Sequence, residues 1–376
     1  MAITRAGFLR GAAATLLAGT ARAAEPVLVG VSGPLSGQYA QYGADWRRGF
    51  DLAVAFVSET GGIGGRPLTY VFEDTQSDPR QAVAVAQKFA ADPRVLVEIG
   101  DFSSAASMAA SPVYQRAKLV QLGFTNSHPD FTKGGDYMWS NAPNQADDAP
   151  MLADYAVTAL GFKRLAVLHL NSDWGRTSKD LFAKAAAALG ASVVAAEGYL
   201  PSEQDFRSTL VRVRDAQPDA LILISYYPDG AQIMRQVRAT GITLPVVATS
   251  SVYSPKLLEL GGAAVEGLFT MTNFFPGNSK PLVRDFVARY KAVYGDEPGS
   301  YPARGFDAML LVATVMRQFG TSRQGVHDGL AQVRDVPSVV YGTMQFDVET
   351  RRVKHPSNIN LVVRNGAFAL WEGGKA

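Results

Sequence analysis

The sequence predicts an α/β protein of two doubly wound lobes, each a mostly parallel sheet with helices on both faces. Two observations carry this. Short apolar runs alternate with amphipathic ones from Val27 onward, and the alternation begins afresh near residue 148. The length agrees: 376 residues are too many for one ordinary core and suit two.

The strand-like runs of the first unit are Val27–Ser32, Leu68–Glu73, Val95–Gly100 and Leu119–Gly123. Between them Gly43–Glu59, Pro79–Ala91 and Ala105–Ala117 have the three- and four-residue apolar spacing of helices, as at Phe50, Val54 and Val57. Continuous apolar strands separated by helices imply a parallel sheet buried on both faces. The second unit repeats the pattern. Its strands are expected at Arg164–Asn171, Ser192–Tyr199, Ala220–Tyr227 and Pro245–Ser251, and its helices at Arg176–Leu189, Asp205–Asp215 and Pro228–Thr240. A further strand, Gly267–Phe275, leads into helices Lys280–Tyr294 and Tyr301–Phe319, and the tail returns to strand at Gly342–Asp347 and Ile359–Gly366. A late helical pair after two sheets implies that the chain crosses between lobes more than once.

Residues 1–23 read as an export signal. Arg5 and Arg10 precede a short apolar stretch that ends in Ala21-Arg22-Ala23. "TRAGFLR" resembles a twin-arginine signal but has Ala6 at the second arginine, so general secretion is the first expectation and the twin-arginine route the alternative. Three of the 36 basic residues and none of the 34 acidic ones fall in this segment, which leaves 33 against 34. That balance argues against nucleic acid or an anionic membrane as partner. With no cysteine there is no disulfide and no thiolate chemistry.

Catalytic patterns are missing. The four histidines are scattered, and there is no H-E-x-x-H, G-x-S-x-G or Walker loop. "GGIGGRP" follows a helix and precedes a strand, the wrong order for a dinucleotide fingerprint, and reads as a helix end and tight turn. Asp147-Asp148 read as the acidic first turn of a helix. No metal and no cofactor is expected.

What remains is the carboxyl ends of the strands, where open α/β sheets bind ligands. The first unit offers small residues there: Ser32 to Gly37, Asp101 to Ser107 with Ser103 and Ser104, then Thr125-Asn126-Ser127. The second offers aromatics, Trp174, Tyr226 and Tyr227, beside Thr249-Ser250-Ser251. Small residues before a helix expose backbone N–H groups, and with the helix dipole these suit a carboxylate or the polar end of an amide. For any single serine, capping the helix is the competing reading.

"GPLSGQYAQYG" (33–43), "GGIGGRPL" (61–68), "EDTQSDPRQAVAVAQKFA" (73–90), "DALILISYYPDGAQIMRQVRATG" (219–241) and "GFDAMLLVATVM" (305–316) resemble periplasmic solute-binding proteins of the leucine/isoleucine/valine-binding type. The resemblance implies a type I periplasmic binding fold: Rossmann-like lobes joined by three crossings, here residues 24–147 with 278–341 and residues 148–277 with 342–376. It implies a monomer in the periplasm that holds a small solute and delivers it to the permease subunits of an ABC transporter, and no enzyme. Carried over by position, Ser104, with Ser103 beside it, binds the ligand carboxylate, Asn126 and Ser127 assist, Tyr42 lines the pocket, and Trp174 with Tyr226 or Tyr227 packs on the ligand. Amino-acid binders of this type place an acid after the "VVAT" strand to meet the ligand ammonium. That place is Ser250 here, with Asp101 or Asp173 as conceivable substitutes. The expected ligand is a branched-chain or related apolar amino acid; the alternative is an aromatic or short-chain carboxylate or an amide. A ligand-sensing subunit and an exported hydrolase are the rival classes. Arg304 is expected at the surface, with a place in the cleft as a second carboxylate partner the alternative.

Overall fold

A computed structural model describes residues 25–201, 203–354 and 358–373. The expected export signal lies outside the described residues. The first sheet takes β1 (Val27–Gly33), β2 (Leu68–Asp74), β3 (Val95–Ile99), β4 (Val120–Gly123) and β5 (Met138–Ser140) in the spatial order β2-β1-β3-β4-β5, all parallel. Helices α1 (Ala40–Glu59), α2 (Pro79–Ala91) and α3 (Ser104–Ala117) connect them. Helix α4 (Gln145–Asp154) then carries the chain to the second sheet, ending in a π turn at Tyr155–Ala159. Strands β6 (Arg164–Leu170), β7 (Ser192–Tyr199), β8 (Ala220–Ile224), β9 (Val246–Ala248) and β10 (Phe269–Thr272) repeat the first sheet's order, β7-β6-β8-β9-β10. Helices α5 (Asp173–Ala188), α6 (Arg207–Asp215), α7 (Tyr227–Ala239) and α8 (Pro255–Gly261) alternate with them. All five residues of β8 are buried, the mark of a strand covered on both faces.

The chain then returns. Helices α9 (Pro281–Tyr294), α10 (Ser300–Phe319) and α11 (Arg323–Gln332) lie on the first lobe, α9 through Arg289–Glu59 and Arg48–Tyr290 to α1. Helix α10 packs along α1 at a distance that needs glycine, since a Cβ on Gly49 would stand 2.1 Å from the Pro302 carbonyl oxygen. A hairpin follows, β11 (Val336–Ser338) with β12 (Gly342–Met344). Strands β13 (Phe346–Asp347) and β14 (Arg352–Val353) extend the first sheet beyond β5, and β15 (Ile359–Arg364) with β16 (Ala367–Leu370) extends the second beyond β10. The lobes are thus joined by three crossings: between β5 and α4, between β10 and α9, and between β14 and β15.

Two differences from the sequence reading concern this tail. The strand expected at Gly342–Asp347 is two short ones with different partners. The switch to the second lobe, expected at 342, comes after Val353. Arg352 explains the delay. Its guanidinium is buried and donates to the His128 carbonyl at 2.6 Å, which ties β14 to the first lobe. The glycine run at 61–65 is the expected helix end and turn, with positive φ at Gly61, Gly62, Gly64 and Gly65.

Candidate ligand cleft

The carboxyl ends of both sheets face each other across a cleft of about 700 Å³, the solvent at its mouth included. On the first lobe the loop between β3 and α3 is tied down from below. Asp101 is buried and accepts from the Thr75 and Ser77 hydroxyls and from Ser103 N at 3.1 Å. Burial raises its pKa. Ser103 is the N-cap of α3, accepting from Ala106 N at 3.4 Å. Ser104, the next residue, is 2% exposed, lines the cleft, and makes no side-chain hydrogen bond among the described residues. Its hydroxyl therefore stands free at a helix N-terminus, where backbone N–H groups already favour negative charge.

The second lobe supplies the opposite wall. Ser172 caps α5 through Gly175 N at 3.1 Å, and this places Trp174 in the first turn. Its indole stacks on the Tyr226 ring, centroids 4.8 Å apart at 20°. Phe102 of the first lobe meets the same Tyr226 ring at 4.8 Å. The Ser250 hydroxyl lines the cleft without a hydrogen bond among the described residues, beside Thr249 and Ser251, whose hydroxyls bond each other at 2.7 Å.

Contacts between the lobes hold the cleft closed. Tyr42 OH accepts from Tyr227 N at 3.2 Å, Trp174 Nε1 donates to Ser127 Oγ at 3.1 Å, and Tyr301 OH donates to the Ser251 carbonyl at 3.4 Å. At the end nearest the crossings stand Pro143, Gln145, Asp148, Met271 and Arg304. Gln145 Nε2 donates to the Trp174 carbonyl at 2.7 Å and to the Ser178 hydroxyl, which fixes the aromatic wall to α4.

Of the nine site residues read from the sequence, the fold brings five to the cleft: Ser104, Ser127, Trp174, Tyr226 and Ser250. Four stand behind it. Tyr42 is fully buried, stacked on Phe102 at 4.1 Å. Ser103 is the cap already described. Asn126 braces the loop, donating to Ser107 Oγ at 2.8 Å and the Gly100 carbonyl at 3.3 Å. Tyr227 opens α7 with its ring buried. Asp101 and Asp173 do not line the cleft; Asp173 is at the surface, paired with Arg176. Arg304, expected at the surface, is 9% exposed and in the cleft. The signal was present: "YPARGFDAMLLVA" is apolar all round, so an arginine within it has no solvent face to occupy. Gln145, Asp148 and Tyr301 also line the cleft and were not singled out for it, because α4 and α10 reach the site from distant parts of the chain; Phe102, which also lines it, lies within the Asp101 to Ser107 stretch already named.

Residues 26–367 match the sequence profile of the periplasmic binding protein family. The "Leu/Ile/Val-binding protein homolog 1" of Brucella suis is 28% identical over 298 residues, 79% of each chain. Among solved structures, a "putative branched-chain amino acid ABC transporter" from Rhodospirillum rubrum is 35% identical with a TM-score of 0.70, covering 92% of this chain and 100% of that one. A leucine-binding protein from Thermotoga maritima is 26% identical with a TM-score of 0.85, covering 93% and 99%. A profile match over almost the whole chain, and two like sheets that face a common cleft across three crossings, give one conclusion: the chain belongs to the periplasmic binding protein family.

Proposed function

We propose that the chain is the substrate-binding subunit of an ABC importer, acting in the periplasm as a monomer and holding a small carboxylate-bearing solute with an apolar body. One observation carries the reading. The free Ser104 hydroxyl at the N-terminus of α3 faces an aromatic wall supplied by the other lobe. The first suits a carboxylate and the second an apolar or flat body. Ser127 fits the same role: its oxygen accepts from Trp174, so its own proton is left to donate to a ligand oxygen. Hinge closure then buries the solute and forms the surface offered to the permease.

The first reading of the ligand is a branched-chain or related apolar amino acid, the class in the relatives' names. A second, an amine-free carboxylate, is favoured by Ser250. Neither it nor its neighbours Thr249 and Ser251 carries the charge that would compensate a desolvated ammonium, and the acid that does line the cleft, Asp148, stands at the end shared with Arg304 and accepts from Asn358. The test is a thermal-shift screen of residues 24–376 with leucine, isoleucine, valine, benzoate, hexanoate and amides. A ligand bound only to the folded chain raises the melting temperature by mass action. A rise with the carboxylates that is lost in Ser104→Ala is the expected result. Turnover of any of these solutes would sink the receptor reading.

A further inference from the structure

The inner end of the cleft holds an arginine whose hydrogen-bonding capacity is mostly unused. Arg304 projects from α10 and is 9% exposed. Among the described residues only its Nη2 has a partner, Asn273 Oδ1 at 3.2 Å, while Nε is buried with none. The Tyr301 ring centroid lies 5.9 Å from the guanidinium carbon. No carboxylate of the described residues comes within 4.0 Å of the guanidinium. Asp148 shares this end of the cleft, but its Oδ1 is engaged by Asn358 Nδ2 at 3.1 Å.

Other arginines that reach into the fold are used differently. Arg323 donates to the carbonyls of Phe89, Ala90, Asp92, Val95 and Ala117, closing the ends of neighbouring elements. Arg352 donates to the carbonyls of His128 and Pro129 and to Ser140 Oγ. Those two side chains staple backbone. Arg304 staples almost nothing and faces a cavity. A buried cation without a counter-charge is costly to keep, and a planar guanidinium fork matches a carboxylate in two parallel bonds.

We infer that Arg304 is a second anion subsite, and that the solute is an amine-free dicarboxylic acid. One carboxylate sits on Ser104 and the N-terminus of α3. The other sits on Arg304, with an apolar body between them against Trp174 and Tyr226. The inference rests on the second of the two ligand readings above and narrows it. A branched-chain amino acid with its single carboxylate on Ser104 would have none left for Arg304.

The experiment compares matched acids by calorimetry: hexanoate with adipate, and benzoate with terephthalate, against leucine. The diacid of at least one pair is expected to bind ten-fold or more tighter than its monoacid. Arg304→Gln should erase that preference, Arg304→Lys should keep part of it, and Ser104→Ala should weaken both members of the pair. The melting temperature of each unliganded variant shows whether the fold is kept. Equal binding of mono- and diacids, unchanged in Arg304→Gln, overturns the subsite and leaves the carboxylate reading standing. Binding of leucine with no affinity for any amine-free acid overturns both in favour of the amino-acid reading. No binding by any acid or leucine ends the carboxylate reading and the subsite with it.

Discussion

Trp174 of the second lobe donates its indole N–H to the hydroxyl of Ser127 of the first at 3.1 Å, across the cleft that both residues line. The bond joins the aromatic wall to the polar one, so it favours the arrangement in which the two lobes meet. Trp174→Phe keeps the stack on Tyr226 and removes the bond. Affinity should fall by about 0.5–1.5 kcal/mol, the net worth of one such hydrogen bond. Calorimetry with whichever acid the screen retains reads this directly; an unchanged affinity would mean that the bond adds nothing to closure.

Ser103 and Ser104 are neighbours with separable tasks. Ser103 caps α3, so Ser103→Ala should cost about 0.5–2 kcal/mol of folding stability. Ser104 caps nothing, so Ser104→Ala should leave stability nearly unchanged and cost about 1–3 kcal/mol of binding to a charged acid. Urea titration and calorimetry on both variants would expose an exchange of these roles.

Tyr42 touches no ligand position and still belongs to the binding reaction. Its hydroxyl receives the Tyr227 N–H across the lobes at 3.2 Å. Tyr42→Phe leaves that N–H unpaired in the closed form. The loss, about 1–3 kcal/mol for a buried donor left unsatisfied, should be the same for every ligand, because it weighs on closure and not on recognition. Small-angle scattering of the liganded variant should show a larger open fraction than the parent at the same concentration. A loss that differs strongly between ligands would place Tyr42 in recognition instead.

Asp307 gives the fold a pH dependence of definite sign. It is buried on α10 and accepts from the Ser338 hydroxyl, Val339 N at 2.9 Å and Val340 N at 3.0 Å. Burial outweighs those bonds and pushes its pKa from 3.8 up to about 7. Between these values the folded chain holds a proton that the unfolded chain has released. Stability from this group is therefore full below pH 3.8 and is lost as pH rises to about 7. Burial lowers the pKa of His128 and His169, which works in the opposite sense, so a difference measurement is needed. Melting temperatures of the parent minus those of Asp307→Asn should fall as pH rises across the interval between the unfolded and folded pKa values. A flat difference would show that Asp307 is ionised throughout.

Much of this architecture was legible in the sequence because period and burial go together. Strand β7 and helix α2 begin and end where the pattern places them. The strand ends bearing Ser104 and Trp174 followed from the rule that ligands bind beyond carboxyl ends. Arg304 and Asp148 were harder. The apolar run around Arg304 signals that it is buried, but where α10 and α4 are buried depends on how they cross back over sheets made from remote segments, and local pattern does not encode that. The short strands β13 and β14 were hidden for another reason: with two residues each they show no period, and their pairing is set by Arg352.

The late arrival of β13 to β16 has a bearing on biogenesis. The first sheet begins at Val27 and closes only with Val353, and the second begins at Arg164 and closes only with Leu370. During synthesis from the N-terminus neither half can reach its final edge before nearly all of the polypeptide has emerged. The half begun first must wait while the other is made, with strand β5 paired to β4 but still lacking its second neighbour β14. The completed edges of both sheets therefore depend on the last quarter of the chain.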